Sequence, residues 1–196
     1  MTGGDPYLWP DSTVLKNRLG IRDAATLDLV ERRINMQRAE MGIPTGNFDL
    51  DHLCAIHHHL FQDVYEWAGQ IRTVEIAKDG HQFQFKDYIK TGMADVHRRL
   101  EQSDFLRHLR PGDFAEGAAQ IIGDINYVHP FREGNGRTQL FYLQQLADQA
   151  RHPIDLQRLE PARWLDASRS AHVGDYGPMA EEIDKALLER SRGLER

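Results

Sequence analysis

Apolar residues along this chain recur with a helical period almost throughout and alternate in only one stretch. From Asp23 onward Leu27, Val30, Ile34 and Met41 follow at spacings of three, four and seven, the pattern of one apolar helix face. Asp23 or Thr26 offers the side-chain oxygen that caps such a helix, and Pro44 within Gly42 to Gly46 ends it. A second helix is predicted from Asp49 to Trp67, with Leu53, Ile56, Leu60, Phe61 and Val64 on one face and Gly69 as its stop. Ile71-Arg-Thr-Val-Glu-Ile76 then alternates, Lys78-Asp-Gly80 supplies a turn, and Gln82-Phe-Gln-Phe85 alternates again, which predicts a β-hairpin. Helical patterns return at residues 86–103, 112–128, 135–151, 160–172 and 178–190, divided by Pro111-Gly112, Pro130, Pro153 and Gly174 to Pro178. The expected fold is all-α, a bundle of about seven to eight helices with one projecting hairpin. Residues 1–22, which contain Asp5-Pro-Tyr-Leu-Trp-Pro10, read as an arm packed on a single domain spanning 23–190, and residues 191–196 as a tail of mixed charge.

Composition narrows the functional classes. A chain of 196 residues with 40% hydrophobic and 28% charged residues can bury one sizeable core without staples. It has no run of the 18 or so apolar residues that a membrane span needs. The formal charge of −6 argues against a general nucleic-acid surface, which requires clustered Lys and Arg, so any phosphate should be held locally. Cys54 stands alone and can form no intrachain disulfide, and the N-terminus lacks a basic start followed by an apolar stretch. The cytoplasm is the expected compartment.

The chemistry concentrates in one segment. Ile121 to Val128 is apolar and helical, and Pro130 disfavours helical geometry at His129, which therefore should close that helix. Gly134 and Gly136 flank Asn135 and are followed by Arg137 and a good helical sequence, so a glycine-rich turn opens the next helix. The first N–H groups of a helix lack partners and sit at its positive end, and glycines let phosphate oxygens come close. Arg137 adds a fixed cation. Glu133 offers a carboxylate suited to Mg²⁺, an ion that takes one carboxylate plus phosphate oxygens. His129 can accept a proton near neutral pH. A base, a metal ligand and a phosphate nest within nine residues make a phosphoryl or nucleotidyl transfer site.

His129-Pro-Phe-Arg-Glu-Gly-Asn-Gly-Arg137 resembles the signature of the Fic family, His-Pro-Phe-x-Asp/Glu-Gly-Asn-Gly-Arg-x-x-Arg, at every fixed position but the last. Tyr65-Glu-Trp-Ala-Gly-Gln-Ile-Arg72 looks like that family's approach to its flap, Val74 to Phe83 like the flap hairpin, and residues 5–20 like the start of bacterial Fic toxins. The resemblance implies a Fic fold with the hairpin as a flap over the active site. It implies a protein adenylyltransferase (AMPylator) that moves AMP from ATP, with Mg²⁺, to a Ser, Thr or Tyr hydroxyl of another protein. His129 would be the base, Glu133 the metal ligand, and Gly134, Asn135, Gly136 and Arg137 the phosphate site, with Phe131 anchoring the loop. The flap residues Val74, Glu75, Ile76 and Ala77 would pair with an extended segment of the target. Lys78 would reach the phosphates or stay solvated at the hairpin, and Ser168 to His172 with Asp175-Tyr176 would line the base pocket. By the same resemblance the protein is bacterial and toxin-like. Its targets would be DNA gyrase or topoisomerase IV subunits, and its inhibitor a small antitoxin carrying a Ser/Thr-x-x-x-Glu helix, with delivery into another cell left open.

The departure is Leu140, which stands where the family has its final arginine. In the family that arginine resembles a clamp for the γ-phosphate and the partner of the inhibitory glutamate. Its loss sets an alternative beside the leading reading: an impaired or non-adenylylating Fic protein, acting by phosphotransfer or as a nucleotide-binding adaptor. Leu140 also falls on a stripe with Leu143, Ala147 and Ala150. The only internal match to the inhibitory helix, Ser191 to Glu195, fails at its last position. His57, His58 and His59 point about 100° apart on a helix and cannot converge on one ion. His97 to Arg99 and Arg107 to Arg110 read as solvated surface.

Overall fold

The computed structural model describes residues 5–78 and 80–188. Within them seven α-helices and one two-stranded antiparallel sheet are joined by loops and short 3-10 turns, the all-α bundle expected. Helix α4 (Pro111–Val128) is its axis. Phe114, Ala118, Ala119, Ile122 and Ile125 along it are buried, and its small side chains let neighbours approach on several sides. The helices α3 (Ile89–Gln102), α5 (Asn135–Gln149), α6 (Pro161–His172) and α7 (Gly177–Ala186) all pack on it. On the other side α1 (Ala24–Glu40) packs on α2 (Leu50–Phe61), and α2 packs on α5.

The structure departs from three of these expectations. Of the two cap candidates, Asp23 is the one that caps α1, its carboxylate accepting from Thr26 N at 2.8 Å. The buried face of α1, however, is Leu27, Glu31 and Asn35, while Met41 just beyond the helix is 71% exposed. Glu31 interrupts the apolar stripe because Arg137 and Tyr65 bond its carboxylate inside, and Asn35 Nδ2 donates back to Glu31 O at 2.9 Å, which periodicity alone does not report. Helix α2 stops at Phe61 and not at Trp67, with turns from Gln62 to Ala68 before Gly69 at φ +80°. The hairpin is reduced to β1 (Ala77–Lys78) and β2 (His81–Gln82), in register Ala77 to Gln82 and Lys78 to His81. Of residues 71–76, expected as a strand, Ile76 alone adds to the ladder, its carbonyl accepting from Phe83 N at 3.2 Å, while the Arg72 side chain takes the carbonyls of Val74 and Gln84. The N-terminal arm lies on the bundle, Asp5 bonded to Arg132 and Tyr7 edge-on to Trp67 at 5.4 Å. Residues 191–196, with the Ser191 to Glu195 match, lie outside the described residues.

Candidate active site

His129 terminates α4 in the left-handed region, φ +48° and ψ +64°, its N–H still bonded to Ile125 O at 2.9 Å. That kink turns the imidazole out of the helix, where the Phe83 ring stacks on it with centroids 3.8 Å apart. Its Nδ1 lies 3.0 Å from Asn126 O. A carbonyl only accepts, so Nδ1 carries the proton and Nε2 is the bare lone pair. Burial pushes the ring's pKa down to about 4, against the pull of the Asn126 carbonyl, and the charges of Arg72, Lys78 and His172 add to the depression. His129 is therefore a neutral base with a fixed tautomer.

The loop after it is built from inside. Phe131 is buried and stacks on His57, centroids 3.9 Å apart. Gly69 N donates to His57 Nδ1 at 2.8 Å, so His57 Nε2 bears the proton and donates to Glu133 O at 2.9 Å. Burial pushes His57 down to about 3, which keeps this bridge neutral. Asn135 uses its whole side chain on Phe131, accepting from its N at 2.9 Å and donating to its O at 2.7 Å. Only its backbone remains for a phosphate. The first bond within α5 runs from Thr138 N to Gly134 O at 3.1 Å, so the N–H groups of Asn135, Gly136 and Arg137 precede the ladder and form the positive helix end.

The two glycines differ in role. Gly134 has φ +83°, and a Cβ there would lie 2.4 Å from Phe61 Cζ, whereas a Cβ at Gly136 meets nothing within 4 Å. Gly134→Ala is therefore expected to destabilise the fold by roughly 2 to 5 kcal/mol, combining left-handed strain with overpacking. Gly136→Ala should leave the thermal melt nearly unchanged. Equal melting temperatures for the two variants would refute the packing role of Gly134.

Arg137 is placed differently from a free phosphate ligand. Its guanidinium is paired with the buried Glu31 carboxylate and lies 4.8 Å above the Phe61 ring. Tyr65 OH donates to the other oxygen of Glu31. Glu133, 48% exposed in its side chain, accepts from Gly134 N at 2.9 Å and lies 3.7 Å from Arg137 Nη2. Ser168 Oγ donates to Trp164 O at 2.8 Å, and Tyr176 OH donates to Asp124 at 2.5 Å. His172 meets Phe83 edge-on at 5.3 Å. One cavity of about 950 Å³ takes in Ile76, Ala77, Lys78, His129, Glu133 and Ser168, together with Gly134 to Arg137 and Leu140. Glu75 lines it as well, while its carboxylate accepts from Lys86 N at 3.1 Å. Val74 supplies its carbonyl to Arg72 at 2.7 Å.

A model of the Fic/DOC family matches residues 47–147. The chain belongs to the Fic/DOC family. It is 40% identical to the "Probable protein adenylyltransferase y4lH" of Sinorhizobium fredii, across 93% of this chain and 96% of that one. It is 39% identical to the "Protein adenylyltransferase VbhT" of Bartonella schoenbuchensis, of which it spans 39%. Among solved structures, the BepC protein of Bartonella tribocorum with bound AMPPNP superposes with a TM-score of 0.84 at 27% identity, over 93% of this chain and 96% of that chain.

In this Fic site the residue that sequence reasoning missed most completely is Arg72. It is 2% exposed. Its guanidinium donates to His129 O at 2.8 Å, Val74 O at 2.7 Å, Val128 O at 3.3 Å and Gln84 O, and its N–H to Pro130 O at 2.8 Å. One side chain thus ties the end of α4 to both legs of the hairpin. Glu31 was hidden for a related reason: a charged residue on a helix reads as solvated. The histidines of α2 go to separate partners, His58 to Ala68 O at 3.1 Å and His59 to Arg38 O at 2.7 Å. The basic clusters are locally neutralised, Arg99 by Asp95 and Asp124 and Arg110 by Asp113.

The donor set of the Fic loop fits Mg²⁺. Glu133 is a half-exposed carboxylate in the cavity beside the helix end, and among the described residues no cluster of three ligating side chains exists to hold a metal alone. One carboxylate with phosphate oxygens and waters is the usual Mg²⁺ environment. No helix among the described residues is long and apolar enough to cross a membrane.

Proposed function

We propose that this chain is a protein adenylyltransferase that moves AMP from ATP to a Ser, Thr or Tyr hydroxyl of another protein. The observation that carries the reading is the bare Nε2 of His129 in the same cavity as the unpartnered first N–H groups of α5. His129 Nε2 takes the proton of the hydroxyl as its oxygen attacks the α-phosphorus. The bond from that phosphorus to the bridging oxygen breaks, and pyrophosphate leaves with the electron pair. The helix end holds the phosphates, Phe83 and Asn126 hold the ring, and His57 and Asn135 hold the loop between them. Glu133 would hold Mg²⁺, which neutralises phosphate charge when bound. Incubation with α-labelled and, separately, γ-labelled ATP and a bacterial lysate tests the reaction. Label from the α position on protein supports it, and label from the γ position alone would mean phosphotransfer. Label from neither would favour a nucleotide-binding adaptor.

The flap supports docking of an extended target segment. Phe83 N donates to Ile76 O at 3.2 Å, so Ile76 faces its partner strand. By the alternation of an antiparallel pair, the N–H and C=O of the exposed Ala77 point outward. Ala77→Pro is expected to cut protein modification at least tenfold with little change in nucleotide affinity. Equal losses in both would remove the docking role. Gyrase and topoisomerase IV subunits are the first targets to test, in a bacterial cytoplasm, and a small antitoxin is the expected regulator.

A further inference from the structure

We infer that His172 is a positioning residue for the transfer reaction: from the end of α6 its ring holds the flap residue Phe83 flat on the His129 imidazole and so keeps water off the base. The role rests on the adenylyltransferase reading for what the base does, while the cover itself is a matter of ring contacts. His172 is the last residue of α6, and its place is set by how closely that helix meets α4. Gly123 of α4 permits the approach, because a Cβ there would lie 2.7 Å from the Tyr176 ring and 2.9 Å from Ala171 Cβ. Three residues on, Asn126 Nδ2 donates to Ser168 O at 3.1 Å. The two helices thus fix His172 beside the flap. Its ring centroid lies 5.3 Å from each of three others: Phe83, His81 on β2 and Tyr127 on α4. Phe83 is 8% exposed and stacks on His129 at 3.8 Å and 22° from parallel. It therefore packs on two imidazoles, stacked on one and edge-on to the other, both arrangements that aromatic pairs prefer.

The flap needs such a contact. Its strands β1 and β2 are two exposed residues each, and a ribbon so short is marginal by itself. Its second leg is tied to α4 by Gln84 N, which donates to Tyr127 O at 3.0 Å, and His172 adds a lateral hold that the ladder lacks. Leu165 joins Phe83, His129 and His172 around a small pocket, so the base has an apolar wall on its flap side. Excluding water from an imidazole disfavours its charged form, the direction in which burial moves His129, down to about 4. The charges that face His129 are Arg72, Lys78 on the flap and His172 itself. His172 is faced by His81 from the flap and Tyr127 from α4, and Arg169 of its own helix lines the same pocket. Burial, with His81 beside it, depresses the pKa of His172 as well, so at neutral pH it packs as an uncharged ring.

The test is the titration of His129 in the full chain, read by NMR of ¹⁵N-labelled histidine with the His129→Ala spectrum identifying its signal. Label transfer from α-labelled ATP to lysate protein is followed over the same pH range, and calorimetry gives ATP affinity. Wild type should titrate near 4. His172→Ala should raise His129 by about one pH unit or more, and Phe83→Ala should bring it close to the 6.5 of a solvated imidazole. A pKa of about 6 leaves roughly tenfold less base form at pH 5 than a pKa of about 4, so transfer should fall about tenfold there and little at pH 8. His172→Phe keeps a ring without its charge and should return the titration to within about half a pH unit of wild type. Failure of that rescue would show that the charge of His172 acts on the base and its ring does not, which overturns the inference. An unmoved titration in folded His172→Ala overturns it too, and tenfold weaker ATP binding in that variant would then place His172 in the base pocket. Absence of label transfer in every protein would remove the adenylyltransferase reading, while the titration still decides the cover. Should His172→Ala fail to fold, His172→Gln, which keeps polarity without a ring, takes its place with the same expected rise.

Discussion

Alanine at His129 should lower transfer by about 10²- to 10⁴-fold, the usual contribution of a positioned general base, while nucleotide affinity stays within a few-fold. The imidazole is held by Asn126 and Phe83 and not by the phosphate nest, so its removal touches the incoming hydroxyl and little else. Calorimetry beside a label-transfer assay separates the two effects, and loss of both together would undo the assignment. The pH profile carries a second check. Because the folded ring has its pKa pushed down to about 4, the base form is present above that value and is lost as pH falls through it. The acid limb of kcat/KM is expected near pH 4, well below the 6.5 of a solvated histidine. A limb near 6.5 would mean that the ring is open to water.

The second large effect is structural and begins at Arg72. Arg72→Met keeps the volume roughly and removes every donor, leaving the carbonyls of Val74, Gln84, Val128 and His129 without their partner. Stranding buried polar groups in this way costs roughly 3 to 5 kcal/mol. For a chain of this size that lowers the melting temperature by about 6 to 20 °C. Activity should fall further than the melt alone accounts for when assayed well below the melting temperature, because the same bonds place His129 and the hairpin. A variant that melts early yet keeps full activity at low temperature would show that Arg72 braces the fold without positioning the site. Lysine at 72 should rescue little, since one ammonium cannot span four divergent carbonyls.

The motif was legible because its chemistry is local. His129 precedes Pro130, Gly134 and Gly136 open a helix, and Phe131 is apolar between polar neighbours, so the turn, the helix end and the anchor follow from chain-adjacent residues. The same locality narrows the α1 cap to Asp23 or Thr26, of which the structure uses Asp23, and places most helix ends to within a few residues. The hairpin was overextended because alternation in Ile71 to Ile76 reports a half-buried chain and not its partner. Arg72 supplies that partner from its own side chain.

By itself, then, the sequence determined an all-α domain, the loop that bears the base and the helix end that attracts phosphate, since each depends on backbone preferences over a few residues. Only the tertiary structure decided how those groups are charged and held. Glu31, 106 residues from Arg137, neutralises its guanidinium. Gly134 is small because Phe61 occupies the space a side chain would need, and His57 reaches the loop from another helix. Those are contacts between residues distant in the chain, formed by packing α1, α2 and α5 together. No spacing along the sequence encodes which buried charge will meet which.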